Sequence, residues 1–187
     1  MELFVDSYLI DRLHGAETVL QHPVPQEVSL LFDQPWEGNT PGHVSVFQDG
    51  DVYKMYYRGS NHIYGENDRN THESFTCYAE SKDGINWTKP SLGIVEFEGS
   101  TDNNIILGSP PRNFSPFKDT NPDVESDAIY KAVALEKMWQ GLFAYKSPDG
   151  IHWSLMTEST VITDGAFDSP NLVFWDGVNQ ELSLIHI

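Results

Sequence analysis

The chain is poor in cysteine and in positive charge. Of its 187 residues, one is a cysteine, Cys77, and eleven are lysine or arginine against 28 aspartates and glutamates. A single cysteine excludes an internal disulfide and a zinc site built from cysteines. The net charge of −17 is the wrong sign for a surface that neutralises phosphates, so we expect neither nucleic acid nor an anionic membrane as a partner. A neutral ligand such as a carbohydrate is compatible with this charge, as are a cation and a plain acidic surface.

Long apolar runs and helical periodicity are also missing. No stretch approaches the roughly 20 apolar residues of a membrane-spanning helix. Residues 1–6 lack the basic start and the apolar run of a signal peptide. We therefore expect either a cytoplasmic protein or one whose true start precedes this sequence.

One motif occurs twice. Residues 81–87 and 147–153 share the pattern S-x-D-G-I-x-W, with an offset of 66 residues from Trp87 to Trp153. Each copy follows a strand-like run, and its Asp-Gly pair supplies the backbone freedom of a tight hairpin turn. We expect Asp83 and Asp149 to hold these turns through side-chain hydrogen bonds rather than to act in catalysis.

Short runs of Val, Ile, Tyr, Phe and Trp fill the rest of the chain, separated by Gly, Asp, Asn and Pro. This pattern predicts an all-β fold of antiparallel strands in units of roughly 60 residues, which is typical of β-propeller blades. A β-sandwich would explain the strands but not the recurrence. The expected blades are residues 40–90, 113–158 and 167–187, the last one truncated.

The length limits the number of blades. Propellers close with four to eight blades, whereas 187 residues hold only about 2.5 to 3 units of this size. We therefore expect residues 1–187 to form a single partial domain that lacks its C-terminal blades and is inactive alone. Residues 182–187 read as the translation of a transposase adapter used in sequencing libraries, so our hypothesis is a truncated metagenomic reading frame with an adapter tail.

The order of the motifs resembles that of the five-bladed propeller glycoside hydrolases of families 32 and 43, especially the bacterial family 32 N-terminal-like group. The likeness covers nearly the whole chain and rests on residues 3–6, 46–51, 55–59 and 167–171 together with the two repeated turns. It implies an incomplete five-bladed β-propeller with a funnel-shaped axial site. It also implies hydrolysis of glycosidic bonds in an oligo- or polysaccharide, which needs an acid on the leaving oxygen and a base or nucleophile on the opposite face.

Two carboxylates match catalytic positions of this group. Residues 167–172 are similar to the W-E-C-P-D-L pattern, so the resemblance implies that Asp168 is the acid/base, one methylene shorter than the usual glutamate. Residues 117–122 are similar to the R-D-P motif, which implies that Asp119 stabilises the transition state. A turn or capping role remains open for both aspartates.

The first motif departs from the pattern. Residues 36–42 correspond to W-x-N-D-P-N-G, but Thr40 stands where the nucleophilic aspartate is expected. A threonine cannot replace an ionised carboxylate, so the candidate that remains is Glu37, followed by Asp33. Loss of catalysis is equally open.

Four residues are candidates for substrate binding: Trp36, Asn39, His43 and Arg58. Arg58 can bind sugar hydroxyls or a substrate carboxylate, with a salt bridge as the structural alternative. Trp36 can stack on a sugar or belong to the blade core. The histidines lack metal-ligand spacing, so we expect no metal site here, although a structural calcium ion at the axis of a complete propeller stays open.

Three functions are compatible with the sequence. The first is a glycoside hydrolase with axial carboxylates. The second is a non-catalytic carbohydrate-binding or interaction propeller, which Thr40 favours. The third is a sialidase-like protein, because the repeated turn is similar to the S-x-D-x-G-x-T-W box, but the chain has few basic residues for an arginine cluster.

Overall fold

The computed structural model of the protein describes residues 6–65, 68–108, 111–136 and 141–185. Residues 3–5 of the first resemblance motif and the last two residues of the adapter-like tail lie outside them. The described residues form β-strands and connecting segments without a helix, which confirms the expected all-β class. None of them forms a helix that is long and apolar enough to cross a membrane.

The strands follow one another as β1 Gly42–Asp49, β2 Val52–Gly59, β3 His62–Ile63, β4 Arg69–Asn70, β5 Phe75–Ser81, β6 Trp87–Thr88, β7 Ile105–Leu107, β8 Arg112–Lys118, β9 Tyr130–Leu135, β10 Phe143–Ser147, β11 Ser154–Leu155, β12 Leu172–Asp176 and β13 Glu181–Ile185. All their pairings are antiparallel.

The strands form three successive sheets and one small hairpin. Sheet 1 has the order β1-β2-β5-β6, with β7 also paired to β5. Sheet 2 has the order β8-β9-β10-β11, sheet 3 is the pair β12-β13, and β3-β4 is the separate hairpin. Each of the first two sheets is thus a meander that starts from one strand, β1 or β8. We call β1, β8 and β12 the inner strands, because β8 packs against both of the others.

The two S-x-D-G-I-x-W segments form the same hairpin turn, as the sequence predicts. Asp83 Oδ1 accepts hydrogen bonds from the backbone N–H groups of Ile85 and Asn86, at 2.8 and 2.7 Å. The tryptophan indole then donates to the carbonyl oxygen of Gly84 at 3.1 Å. The copy at Asp149 repeats every one of these bonds, so the repeat is a structural unit that returns the outer strand of each sheet.

Apolar clusters join the sheets face to face. Tyr56 and Tyr78 of sheet 1 pack with Phe114 and Ala132 of sheet 2, and all four are buried. A second cluster joins sheet 2 to sheet 3 and is composed of Val133, Leu135, Leu142, Phe167, Ile162, Val173 and Leu184. Burial of this apolar surface, at roughly 25 cal/mol per Å², stabilises the stacking of the sheets. The arrangement is that of a partial propeller-like fold in which the sheets follow each other around the inner strands.

The inner strands leave an apolar groove open. Its cavity of about 580 Å³ is lined by residues of β1, β8 and β12, and we call it the inner groove. Val44 and Val46 of β1 are about half exposed, as are Leu172 and Phe174 of β12. Side chains of this kind are normally covered in a folded domain.

Candidate functional site

The inner strands β1 and β8 begin in the same unusual way. His43 and Asn113 are each the second residue of their strand, and their φ angles are positive, at 50° and 55°. In both strands the pairing with the neighbouring strand shifts register across this residue. Such bulges re-aim side chains, and a non-glycine residue with positive φ is a strained conformation that clusters at functional sites. These ends of the inner strands form what we call the N-terminal rim, together with Thr40 and Asp168.

Asp168 lies on the segment that leads into β12. Its exposed carboxylate follows Phe167, which is buried and has a φ of 50°. Asn113 Nδ2 of β8 donates a 2.7 Å hydrogen bond to the backbone carbonyl oxygen of Asp168. Asn171 Nδ2 donates to the carbonyl oxygen of Ser169 at 2.8 Å. The backbone around Asp168 is therefore fixed while its side chain remains accessible.

His43 lies between opposite charges at this rim. Burial lowers the pKa of the His43 imidazole, the Arg58 guanidinium lowers it further, and Asp168 acts against both. The net shift is downward, so the neutral imidazole is favoured. His43 is thus within electrostatic range of two other residues that the sequence nominates, Arg58 and Asp168.

A polar pocket of about 320 Å³ opens beside them. Arg58 reaches it from β2, and Arg112 from the first position of β8. The remaining lining residues are Thr40, Ser60, His62, Tyr64, Asn70 and Ser74. We call this cavity the arginine pocket.

The segment before β1 closes one side of this pocket. Thr40 and Ser60 are tied together, since the Thr40 hydroxyl contacts Ser60 Oγ at 2.8 Å and Ser60 Oγ donates to the Thr40 carbonyl oxygen at 2.7 Å. Asn39 is not turned toward a ligand but toward the chain, because its amide exchanges hydrogen bonds with the backbone of His62 at 2.8 and 2.9 Å. Asn39 is therefore a residue that holds the pocket wall.

The structure places Glu37 elsewhere, in the interior of sheet 1. Its side chain is fully buried and accepts hydrogen bonds from the Tyr57 hydroxyl, from the Gln34 backbone N–H at 2.9 Å and from Lys89 Nζ at 2.8 Å. Burial is the main cause of a raised pKa of Tyr57, and Glu37 contributes to it. A carboxylate that is fully buried and holds three hydrogen bonds is not accessible to a ligand.

Trp36 belongs to the same interior network. Its indole N–H donates to Asn104 Oδ1 at 2.7 Å, and its ring packs edge-on against Phe97. It lines a separate cavity of about 280 Å³ with Lys89 and Asn103, not the arginine pocket. Trp36 is thus half-buried and packed against the apolar core of sheet 1, which agrees with the structural alternative for this side chain.

Asp119 lies at the opposite end of β8 from the N-terminal rim. It is six positions after Asn113, which corresponds to about 20 Å along an extended strand. Its carboxylate is buried, pairs with Lys131 Nζ and accepts the backbone N–H of Asn121 at 2.9 Å. The structure therefore does not bring Asp119 and Asp168 together.

Two residues of the N-terminal rim, Arg112 and Asn113, are not among the site residues predicted from the sequence. The sequence does contain a pattern that indicates them, because residues 45–49 and 115–119 share the pattern S-x-F-x-D. Aligning these segments pairs His43 with Asn113 and sets Asp119 opposite Asp49 at the far end. Among the described residues, no group of three or more His, Cys, Asp or Glu side chains is arranged to hold a metal ion.

Comparison with known proteins concerns the fold of the chain. No protein-family model and no curated protein matches the chain. A fructofuranosidase from Schwanniomyces occidentalis, solved with fructosylnystose, has 16% identity and a TM-score of 0.54 over 80% of this chain and 30% of its own. A glycosyl hydrolase from Bacteroides ovatus has 20% identity and a TM-score of 0.44 over 77% of this chain and 40% of its own. The chain thus spans well under half the length of these structures, and the resemblance to β-propeller glycoside hydrolases is confirmed for the fold.

Proposed function

We propose that this chain is part of a β-propeller protein of the glycoside hydrolase type that acts on a carbohydrate at the N-terminal rim. The observation that carries this proposal is the position of Asp168, an exposed carboxylate on a fixed backbone within electrostatic range of His43. In this proposal Asp168 is the acid that protonates the leaving glycosidic oxygen.

Glycoside hydrolysis needs a second carboxylate on the other side of the bond. Thr40 supplies none, and no acidic residue is found among the described residues that line the arginine pocket. We propose that the second carboxylate is contributed by further blades, which complete a five-bladed propeller from the 2.5 to 3 blades expected at residues 40–90, 113–158 and 167–187. The open inner groove and the 30% coverage of the fructofuranosidase support this completion.

A second candidate function is carbohydrate binding without hydrolysis. The segment before β1 and the start of β8 present Thr40 and Asn113, which are neutral, where a hydrolytic site uses carboxylates. Neutral hydrogen-bonding groups are sufficient to bind sugar hydroxyls. The two candidates differ in whether a bound glycan is cleaved.

The test uses the protein produced from its complete reading frame. Aryl glycosides and polysaccharides are screened for released sugar, and active substrates are then compared between the parent and Asp168→Asn. Asp164→Asn removes the same charge from an exposed residue of the same segment and serves as the control. We expect Asp168→Asn to lower kcat/KM about 100-fold or more and the control to leave it unchanged. Unchanged turnover in Asp168→Asn contradicts the role of Asp168, and glycan binding without cleavage supports the second candidate.

A further inference from the structure

Arg58 and Arg112 share a pocket without a carboxylate partner. Five lysines of this acidic chain form ion pairs: Lys54, Lys89, Lys118, Lys131 and Lys146. Neither Arg58 nor Arg112 has such a pair among residues 6–65, 68–108, 111–136 and 141–185, although the chain carries 28 acidic residues. The salt bridge that would explain Arg58 structurally is therefore not found in the described part of the chain.

The donors of Arg58 are mostly unused. Its Nη2 donates to the carbonyl oxygen of Thr40 at 3.3 Å, near the upper limit of a hydrogen bond. Its Nε is shielded from solvent and has no hydrogen-bond partner in the described structure. A guanidinium has five N–H donors, and a shielded charged donor without a partner is costly.

The two guanidiniums also repel each other. Burial lowers the pKa of Arg58, and the positive charge of Arg112 lowers it further. β2 and β8 place both side chains on one cavity. An anion between them would remove the repulsion and supply the missing acceptors.

The rest of the pocket is suited to a sugar-sized molecule. Its volume of about 320 Å³ falls in the range of small-ligand sites. None of the described residues that line it is acidic, and hydroxyl and amide groups from Thr40, Ser60, Ser74 and Asn70 lie beside the arginines. The largely exposed Tyr64 packs edge-on against the His62 ring, so an aromatic surface borders the opening.

We propose that the arginine pocket is an oxyanion subsite, in which Arg58 and Arg112 bind a carboxylate or phosphate group. The oxyanion subsite deepens the proposed function, and its link to catalysis rests on that function. The preferred substrate is then an acidic carbohydrate, or a glycan that is processed together with an anionic co-ligand. The planar, fixed donors of guanidinium groups match both kinds of oxyanion.

Equilibrium binding to the protein tests this without any turnover. The probes are methyl β-glucuronide, its neutral counterpart methyl β-glucoside and inorganic phosphate, each titrated by calorimetry at constant ionic strength. The variants are Arg112→Gln and Arg58→Gln, with circular dichroism as the check of folding. Arg69→Gln is the matched control, because Arg69 is exposed on β4 and does not line the pocket. Arg112 is itself exposed, so its replacement is expected to leave the fold intact.

We expect one of the anionic probes to bind and each pocket variant to weaken its binding about tenfold to a hundredfold, with Arg69→Gln unchanged. Glucuronide binding without phosphate binding identifies an acidic sugar, and the reverse identifies a phosphate group. The inference is overturned if neither anion binds, if the glucoside binds as well as the glucuronide, or if Arg69→Gln weakens binding as much as Arg112→Gln. Asp168→Asn separates the two proposals. If this variant loses turnover but the parent binds no anion, only the catalytic proposal stands. If the parent binds an anion but the variant keeps its turnover, only the oxyanion subsite stands.

Discussion

Asn113 holds the backbone of Asp168 through a 2.7 Å hydrogen bond from its side-chain amide to the Asp168 carbonyl oxygen. The bond joins the start of one inner strand to the segment that leads into the next. It holds the backbone of Asp168 at the N-terminal rim, and it leaves the carboxylate itself accessible to a ligand.

The charge environment of His43 is the first testable consequence. Because burial and Arg58 lower the pKa of His43 and Asp168 raises it, Arg58→Gln should raise this pKa and Asp168→Asn should lower it. The measurement is the NMR titration of the His43 ring in the three proteins. Shifts of equal sign in the two variants would contradict the placement of His43 between Arg58 and Asp168.

The pKa of His43 also has a consequence for stability. Its folded-state pKa lies below the ordinary value of 6.5, so the unfolded chain takes up this proton first as the pH falls. The contribution of His43 is therefore neutral above pH 6.5 and destabilising below it. His43→Gln should reduce the loss of urea midpoint between pH 7 and pH 5, and an unchanged loss would contradict the shift.

Acid stability should depend on the repeated turns. Burial acts to raise the pKa of Asp149, but hydrogen bonds from the His152 backbone and side chain and from Ile151 outweigh it, so the pKa lies below 3.8. A carboxylate with a lowered pKa stabilises the fold above its unfolded-state pKa, and this contribution is lost as the pH falls through its folded-state pKa.

Asp149→Asn should therefore lower the urea midpoint at pH 7 and reduce the further loss between pH 5 and pH 2. The asparagine oxygen still accepts both backbone N–H groups, so the variant removes the charge and the acceptor for the His152 ring but keeps the turn. Asp51→Asn removes the same charge from an exposed residue of another hairpin and is the control. Equal acid sensitivity of Asp149→Asn and the parent would refute this contribution.

Glu37 is expected to act in stability rather than in binding. Glu37→Gln leaves the Lys89 ammonium without its buried partner, and breaking a buried ion pair typically costs about 3 kcal/mol of unfolding free energy. Asp33→Asn removes the other carboxylate that contacts the same lysine, but Asp33 is exposed and its loss should change little. Denaturant unfolding of the two variants is the measurement, and equal losses would argue against the interior role of Glu37.

Gly38 should be sensitive to a methyl group for a steric reason. It has a φ of +65°, and an added Cβ would lie 2.4 Å from the Ser60 carbonyl oxygen. Gly15 has nearly the same φ, +67°, but no atom within 4 Å of an added Cβ, so Gly15→Ala isolates the backbone contribution. We expect thermal unfolding to show a loss of about 1 kcal/mol for Gly15→Ala and about 3 kcal/mol or more for Gly38→Ala. Similar losses would mean that the close approach at Ser60 is relieved without cost.

The fold could be predicted from the sequence to a large extent. The Asp-Gly turns and the tryptophans that follow them are local signals, and Ser81 and Ser147 start the same hydrogen-bonded turn in the structure. The runs of β-branched and aromatic residues indicate strands because these side chains fit a pleated, half-buried surface.

The site could be predicted only in part, because it depends on contacts between distant segments. Asp168 stands next to a recognisable motif, whereas the pairing of Arg58 with Arg112 arises from two sheets and has no local signature. Asp119 matches a short motif in sequence but lies at the wrong end of β8 to share the rim. Glu37 shows the same limitation, since nothing in its segment indicates that Tyr57 and Lys89 will enclose it.

The central claim is that function resides at the N-terminal rim and not at the opposite end of the inner strands. The direct test is kcat/KM of Asp168→Asn and Asp119→Asn, measured side by side on the best glycoside substrate and normalised to folded protein. The account predicts a loss of about 100-fold or more for Asp168→Asn and parent-like turnover for the folded fraction of Asp119→Asn. Parent-like turnover in Asp168→Asn together with a large loss in Asp119→Asn would contradict it.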